Sequence, residues 1–459
     1  MNIIGISAYH HDSAAAYLKD GYIKGAAHEE RFTRQKFDNR FPVNTIRWLR
    51  HQQEKPDAVV FYEHKNFIER QSIKREIKKV IPGKYSIDFL DHHECHAMSS
   101  ILTTNWDKCA VMVVDTIGGE YATSLGIYEY GKITWLKRFK YPNSLGLFYS
   151  TATKLLGFRP LSDECKVMSA AAYGEPKWAS YIKEKILHTE IGDYTLFQDF
   201  RRGLGEGTLD WDIASSVQEI LQQCLLNLAG WLHKETGHFR LAYAGGVALN
   251  CVANTHLVRY TNFDEIAIQP AAGDAGCALG AAALVDRPIW EGPFLGYSDS
   301  LEQRIEEVAY KIVRGDVVAI IDGRAEFGPR ALGNRSLLCT PTDLNISKLN
   351  NIKGRINDSW RPYAPVCLES IAEDLFNIYH PSYEMLFIAY SETDKFTTHD
   401  DTARLQLVNS THNAFLSRIL EITSKQGFPI LINTSLNARG KPIVNTVDDF
   451  KNEIKNVET

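Results

Sequence analysis

Apolar residues near the start of the chain fall into short runs cut by turn residues. Ile3 to Ile6 and Ala14 to Leu18 read as strands, and Asp20-Gly21 leads into a third, Tyr22 to Ala27. Asp-Gly between apolar runs is a hairpin signal, because the tight turn needs positive φ at both central positions. Further strands are written as nearly continuous apolar text: Ala110 to Asp115, Arg240 to Ala244, Glu265 to Gln269, Asp316 to Asp322 and Pro429 to Ile432. Between them the spacing changes to that of helices, over 65–84, 212–237, 302–313 and a small-residue stretch after Gly276. Alternation of this kind predicts an α/β protein. From Asp286 to Ser300 the text turns to Pro, Gly, Trp and Ser, so residues 289–300 are expected to link a domain 1–288 to a domain 301–459. No internal repeat is visible.

Composition narrows the class without changing this outline. A 459-residue chain that is 44% hydrophobic and 23% charged is an ordinary globular protein with room for two domains. Its net charge of −5 argues against a dedicated nucleic-acid coat. The stretch 65–84 carries seven Lys or Arg against two Glu; it reads as a solvated helix with a buried stripe at Ile73, Ile77 and Val80, with polyanion binding as the alternative. No run approaches the roughly 20 apolar residues of a membrane span, and Met1 to Gly5 lacks the regions of a signal peptide. Cysteines 95, 109, 165, 224, 251, 277, 339 and 367 form no CxxC pair, so they read as reduced thiols in a cytoplasmic protein.

The densest candidate chemistry is Asp91-His92-His93-Glu94-Cys95-His96. His92 and His96 are four apart and share one helix face, and Asp91 with Glu94 has a capping-box pattern that starts a helix there. Asp115 and Asp274, at or after strand ends and beside glycine-rich turns, are the acids that could complete a metal site. Two imidazoles with carboxylates suit iron(II), manganese or zinc. The alternatives are a packed histidine and a capping aspartate. Turns at His11-Asp12-Ser13, at Asp115 with Gly118-Gly119, and at Gly245-Gly246 each follow a strand. Their order resembles the phosphate and adenosine segments of the superfold of actin, sugar kinases and heat-shock chaperones, which implies nucleotide contacts at Gly118, Gly119, Gly245, Gly246 and Asn250.

Almost end to end, the chain resembles the O-carbamoyltransferases of the nodulation-protein-U and cephalosporin carbamoyltransferase group. The resemblance rests on His11-Asp12-Ser13-Ala14-Ala15, on Glu29 to Lys36, on Ser144 to Tyr149 and on Asp163 to Met168. It continues through Gly245 to Asn250, Gly273 to Gly276, Gly323 to Ser336, Trp360 to Pro365 and Asn433 to Asn437. It implies an N-terminal domain of the actin-like superfold, similar to the tRNA threonylcarbamoyl-transferase subunit, and a C-terminal YrdC-like α/β domain. The second domain would make carbamoyl-adenylate from ATP, with its Mg2+, and carbamoyl phosphate; the first would pass the carbamoyl group to an alcohol. Motif matches place Fe2+ (or Mn2+ or Zn2+) on His92, His96, Asp115 and Asp274, an essential histidine at His11, and an adenylate-side lysine at Lys36.

The arginine-rich second domain suits such phosphate-bearing ligands. Arg330, Lys353, Arg361 and Arg404 are the expected ATP and carbamoyl phosphate contacts, joined by Asn433, Ser435 and Asn437 after their strand. Arg324 and Arg335 divide evenly between ligand contact and structural pairing. His11, with an ordinary pKa of about 6.5, would take the proton of the alcohol, and His10 reads as a bystander. Departures from the family text are the extra residue in Asp115-Thr116-Ile117-Gly118-Gly119-Glu120, Ser169-Ala170, Lys441 and a short C-terminus. The expected partner is a small-molecule or sugar hydroxyl acceptor, with a nucleotide or DNA acceptor as the alternative, no membrane partner, and room for a homodimer. Competing readings are a tRNA threonylcarbamoyl-type transferase and a non-catalytic nucleotide-binding protein.

Overall fold

The computed structural model describes residues 1–51, 55–63, 69–186, 210–355, 359–391, 400–455 and 457–459. Its compact units are Met1–Glu29 with Asp38–Glu291, and Glu30–Phe37 with Gly292–Thr459. Residues 30–37, expected within the first domain, therefore cluster with the second. Ser13 marks both ends of this excursion: its carbonyl accepts from Glu29 N at 2.8 Å, and its own N–H donates to Asp38 O at 2.8 Å. Within the second unit, Arg34 holds the segment by donating to Glu453, Ile443 O and Pro442 O.

The first unit contains two five-stranded sheets built to one plan. Strands β1 (Asn2–Ser7), β2 (Ala14–Lys19), β3 (Tyr22–His28), β4 (Ala58–Glu63) and β5 (Ser86–Asp91) lie in the order β3-β2-β1-β4-β5. Strands β6 (Lys108–Gly118), β7 (Tyr121–Glu129), β8 (Lys132–Lys140), β9 (Arg240–Ala244) and β10 (Glu265–Ile268) lie in the order β10-β9-β6-β7-β8. In each, three antiparallel strands are extended by two parallel ones. This duplication is the actin-like plan expected from the turn order. It is invisible as a sequence repeat because the two sheets share their connections and not the residues that fill them. The Asp20-Gly21 hairpin forms as expected, with φ of 52° and 76°.

Helix Gly276–Val285 is the wedge of this unit. Its sequence, GCALGAAALV, has small residues wherever neighbours come closest. A Cβ at Gly280 would lie 1.9 Å from Cys95 O of helix His92–Ile101, and a Cβ at Gly5 of β1 would lie 1.9 Å from Ala278 O. Only hydrogen atoms fit in these contacts, so strand and helices meet backbone to backbone.

The second unit, also α/β, has strands β11 (Val318–Ile321), β12 (Arg335–Cys339) and β13 (Ala364–Leu368). A small sheet of β14 (Asn377–Ile378), β15 (Ala389–Tyr390) and β16 (Thr402–Ala403) precedes β17 (Gln406–Val408) and β18 (Ile430–Ser435). The main sheet runs β11-β12-β18-β13-β17. Val318, Ile320, Leu338 and Leu431 face one core with helices Ile305–Val313 and Ala414–Lys425. Ala319, Ile321, Leu337 and Ile432 face the other with Leu349 and Phe450. Burial on both faces explains the continuous apolar text of these strands.

Two strands run longer than their apolar residues suggest. β6 continues past Asp115 to Gly118, and β18 continues to Ser435, so Asn433 and Ser435 lie within a strand. The basic stretch folds as helix Arg70–Val80 with Ile73 and Ile77 buried; residues 65–68 lie outside the described residues. The β7–β8 hairpin was not anticipated. Among the described residues no helix is long and apolar enough to cross a membrane, and all eight cysteines are free thiols.

The close helix contact makes a stability prediction. Gly280→Ala should cost about 1–3 kcal/mol through overpacking, whereas Gly230→Ala, an exposed helical position with nothing within 4 Å of the added carbon, should gain up to about 1 kcal/mol. Urea unfolding of both variants measures this, and a neutral Gly280→Ala would contradict the packing described.

Candidate active site

Asp91, at the end of β5, caps the helix His92–Ile101 by accepting from His93 N at 2.9 Å and Glu94 N at 3.2 Å. Arg138 donates to the same carboxylate at 3.1 and 3.2 Å, which fixes the cap. The first helical turn therefore has a defined rotation. His92 and His96 turn inward together, with ring centroids 4.7 Å apart.

Asp115 of β6 and Asp274, just before the wedge helix, meet them. His92 Nε2 lies 3.4 Å from Asp115 Oδ2 and 3.5 Å from Asp274 Oδ1; His96 Nε2 lies 3.3 and 3.5 Å from the same oxygens. All four residues are at most 5% exposed. Separations near 3.4 Å between donor atoms are those of a tetrahedral shell with bonds of about 2.1 Å, the length of Zn–N and Zn–O bonds. The N2O2 donor set and its burial thus fit one divalent metal ion.

Electrostatics agree. Burial opposes ionisation of Asp115 and Asp274, yet contacts with the imidazoles (and, for Asp274, with His10) hold both carboxyls well below the usual range. Burial likewise opposes charge on His96, but Cys277, Asp115 and Asp274 hold its pKa well above the ordinary value. The folded site retains negative charge and calls for a cation. Cys277 lies within 4.8 Å of both imidazoles and offers an alternative third donor, although burial pushes its thiol up to about 11.

His93 faces away from this cluster. Its Nδ1 pairs with Ser124 Oγ at 2.6 Å, and a Cβ at Gly118 would lie 2.3 Å from its Nε2. Burial first, then the His92 and His96 charges, keeps it neutral.

Residues around the four candidate ligands set their orientation. Gly246 N donates to Asp115 Oδ1 at 3.2 Å, leaving Oδ2 for the imidazoles. His10 Nδ1 is 2.8 Å from Asp274 Oδ2, leaving Oδ1 likewise. His10 is therefore no bystander. The sequence signal was only a tandem histidine; what aims His10 is the left-handed φ of 78° at Tyr9, which the sequence does not announce. His11 pairs with Asp12 at 3.2 Å and with Leu161 O. Burial disfavours its charge, but Asp12 and further contacts outweigh it, and its pKa is pushed up to about 10. The expectation of an ordinary histidine pKa is thus corrected.

The glycine turns have local explanations. Gly118 is required by the His93 ring. Gly245, at φ 97°, sits where a Cβ would be 2.2 Å from Val114 O, and Gly119 forms the β6–β7 turn at φ 78°. Asn250 caps helix Cys251–Tyr260 through Ala253 N and exchanges hydrogen bonds with Gln218 at 2.9 and 3.1 Å.

In the second unit the structure gathers three expected contacts. Lys353 Nζ donates to Ser435 O at 2.6 Å, Ser435 Oγ at 3.1 Å, Asn437 O at 3.2 Å and Asn437 Oδ1. Burial lowers the Lys353 pKa well below its ordinary value, and the charges acting on it, from Arg355, Lys36 and Arg361, lower it further. Positive charge converges here. Asn433 is set apart, donating to Ala331 O at 3.1 Å and Gln406 Oε1 at 2.6 Å. Arg330 and Arg404 are half-buried, the first in the loop before β12 and the second between β16 and β17. Arg335 is fully buried and donates to the carbonyls of Asn445, Asp322, Asn334, Tyr297 and Gly323, a structural role. Arg324 donates to Leu295 O at 2.6 Å.

A sequence model of the carbamoyltransferase N-terminus matches residues 2–87 and 72–283, and one of the carbamoyltransferase C-terminus matches 309–459. The nodulation protein NolNO of Sinorhizobium fredii is 31% identical over 96% of this chain and 76% of its own. The 3'-hydroxymethylcephem-O-carbamoyltransferase of Streptomyces clavuligerus is 29% identical over 68% of this chain and 65% of its own. Among solved structures, HypF of T. kodakarensis matches 62% of this chain and 47% of that one with a TM-score of 0.40 at 16% identity.

Two outcomes test the cluster. His92→Ala should abolish stoichiometric metal binding by plasma emission analysis and His93→Ala should spare it; equal loss would mean the helix face is misassigned. Because a metal must displace the proton held on His96, divalent-ion affinity by calorimetry should rise with pH, by about tenfold per unit for one proton displaced. A flat profile between pH 6 and 8 would contradict it.

Proposed function

Since this chain belongs to the carbamoyltransferase family and transfers a carbamoyl group, we propose that it is an ATP-dependent, iron-containing O-carbamoyltransferase. The observation that carries the proposal is the buried cluster of His92, His96, Asp115 and Asp274 in a chain of this family.

In the first half-reaction, water cleaves carbamoyl phosphate to carbamate and phosphate. A carbamate oxygen then attacks the α-phosphorus of ATP, and pyrophosphate leaves with the bridging electron pair. Lys353, Ser435 and Asn437, with Arg330, Arg361, Arg404 and Asn433, are the proposed phosphate and ribose contacts, and Lys36 lies beside the adenylate. Like charges crowded around Lys353 support this reading, because a bound phosphate would relieve them.

In the second half-reaction, the oxygen of an alcohol attacks the carbamoyl carbon, and the bond from that carbon to the adenylate oxygen breaks to release AMP. The alcohol proton passes to His11. A divalent cation at the four-residue cluster would supply Lewis-acid polarisation of the carbamoyl oxygen. Gly246 and His10 keep one oxygen of each carboxylate aimed at the imidazoles. The relative named for a hydroxymethylcephem points to a hydroxymethyl or sugar hydroxyl on a small molecule as the acceptor class.

Incubation of the protein with ATP and carbamoyl phosphate should yield pyrophosphate only when both are present, and a panel of alcohols assayed by mass spectrometry should show one gaining a carbamoyl group. Pyrophosphate without any carbamoylated alcohol would refute the transfer half. With His11 near pKa 10, its base form grows as pH rises, so transfer should accelerate up to about pH 10. A rate that peaks near pH 6.5 would remove His11 as the proton acceptor.

A further inference from the structure

Two charged side chains of the second unit are buried with open hydrogen-bonding atoms. Arg31, in the segment Glu30–Phe37, is 2% exposed; its Nη2 donates to Gly328 O at 2.9 Å, while Nε and Nη1 have no partner. Glu326 is 3% exposed. Its Oε1 accepts from Leu332 N at 2.8 Å, Asn334 N at 2.9 Å and Arg335 N at 3.2 Å, while Oε2 has no partner.

The two belong to one neighbourhood. Arg31 is anchored two residues from Glu326, and the Glu326 charge acts on Arg31, although burial dominates there and lowers its pKa. Among the described residues no ion pair forms between them. A buried donor or acceptor left unmade costs about 1–3 kcal/mol, and both groups are held in place by backbone contacts that do not require the open atoms. Arg330 adds a further buried nitrogen, its Nε, without a partner in the same loop.

Open N–H donors on Arg31 and an open carboxylate oxygen on Glu326, buried in one neighbourhood, ask for a small ligand with acceptor oxygens at one end and N–H donors at the other. A carbamoyl group, H2N–C(=O)–O, has this polarity; acetyl has only the acceptor end. We infer that Arg31 and Glu326 form the subsite that recognises the carbamoyl group itself, Arg31 donating to its oxygen and Glu326 Oε2 accepting from its NH2. This rests on the proposed use of carbamoyl phosphate, and it assigns the discrimination against other acyl phosphates to Glu326.

Glu326→Gln separates recognition from folding. The amide keeps an acceptor for the three backbone N–H groups and replaces Oε2 by a donor, which meets the carbamoyl NH2 donor to donor. Sites that hydrogen-bond a substrate group reject analogues strongly, so a loss of about 100-fold is expected. Calorimetry on the intact protein with carbamoyl phosphate and acetyl phosphate should show carbamoyl phosphate binding weakened by that factor in Glu326→Gln, with acetyl phosphate unchanged. Arg31→Lys should weaken both. Unchanged carbamoyl phosphate binding in Glu326→Gln, or equal weakening of both ligands alongside a lowered melting temperature, would overturn the inference. Because binding is read directly, failure here is distinct from failure of the wild-type protein to make pyrophosphate, which would instead refute the adenylate reaction.

Discussion

Two buried imidazoles, each within 3.5 Å of both of two buried carboxylates, are the arrangement on which the first unit turns. Burial withholds water from these charges, so they lean on one another, on the Gly246 N–H and on His10. The surrounding fold serves to hold them there. The Asp91 cap sets the helix rotation, the Gly280 contact sets the helix distance, and Gly246 and His10 each turn one carboxylate oxygen toward the imidazoles.

The second unit presents the opposite imbalance. Around Lys353 the acting charges are positive, and Arg31 and Arg330 hold unmet N–H groups in the interior. One unit thus offers a place for a cation and the other a place for anions. That division is what the proposed reaction requires, with phosphates handled in one half and a carbonyl oxygen polarised in the other. It also gives a physical meaning to the two family regions that the chain contains.

Much of this was legible because it is local. The i, i+4 spacing of His92 and His96, the Asp91 cap and the Asp20-Gly21 turn are decided by neighbours in the chain. Burial on both faces made β11 and β18 of the second unit readable as apolar runs, whereas β12 to β17 were not read from the sequence. What escaped was set by tertiary contact. His10 matters only because Tyr9 turns it toward a residue 264 positions away. Gly118, read as part of a phosphate turn, is small because the His93 ring lies against it. Asn433 and Ser435 lie inside β18 because polar residues can extend a strand whose apolar part has ended. The excursion of residues 30–37 into the second unit has no periodic signature, since the charged side chains of Arg31 and Arg34 anchor it.

The four-residue cluster of the first unit is proposed to be a metal centre with a nitrogen and oxygen shell. X-ray absorption at the metal edge of the iron-loaded protein tests it most directly. A first shell of light atoms at about 2.0–2.2 Å with the outer-shell scattering of two imidazoles is expected. A sulfur scatterer at about 2.3 Å, which would place Cys277 in the shell in place of the carboxylates, or a spectrum without imidazole scattering, would contradict it.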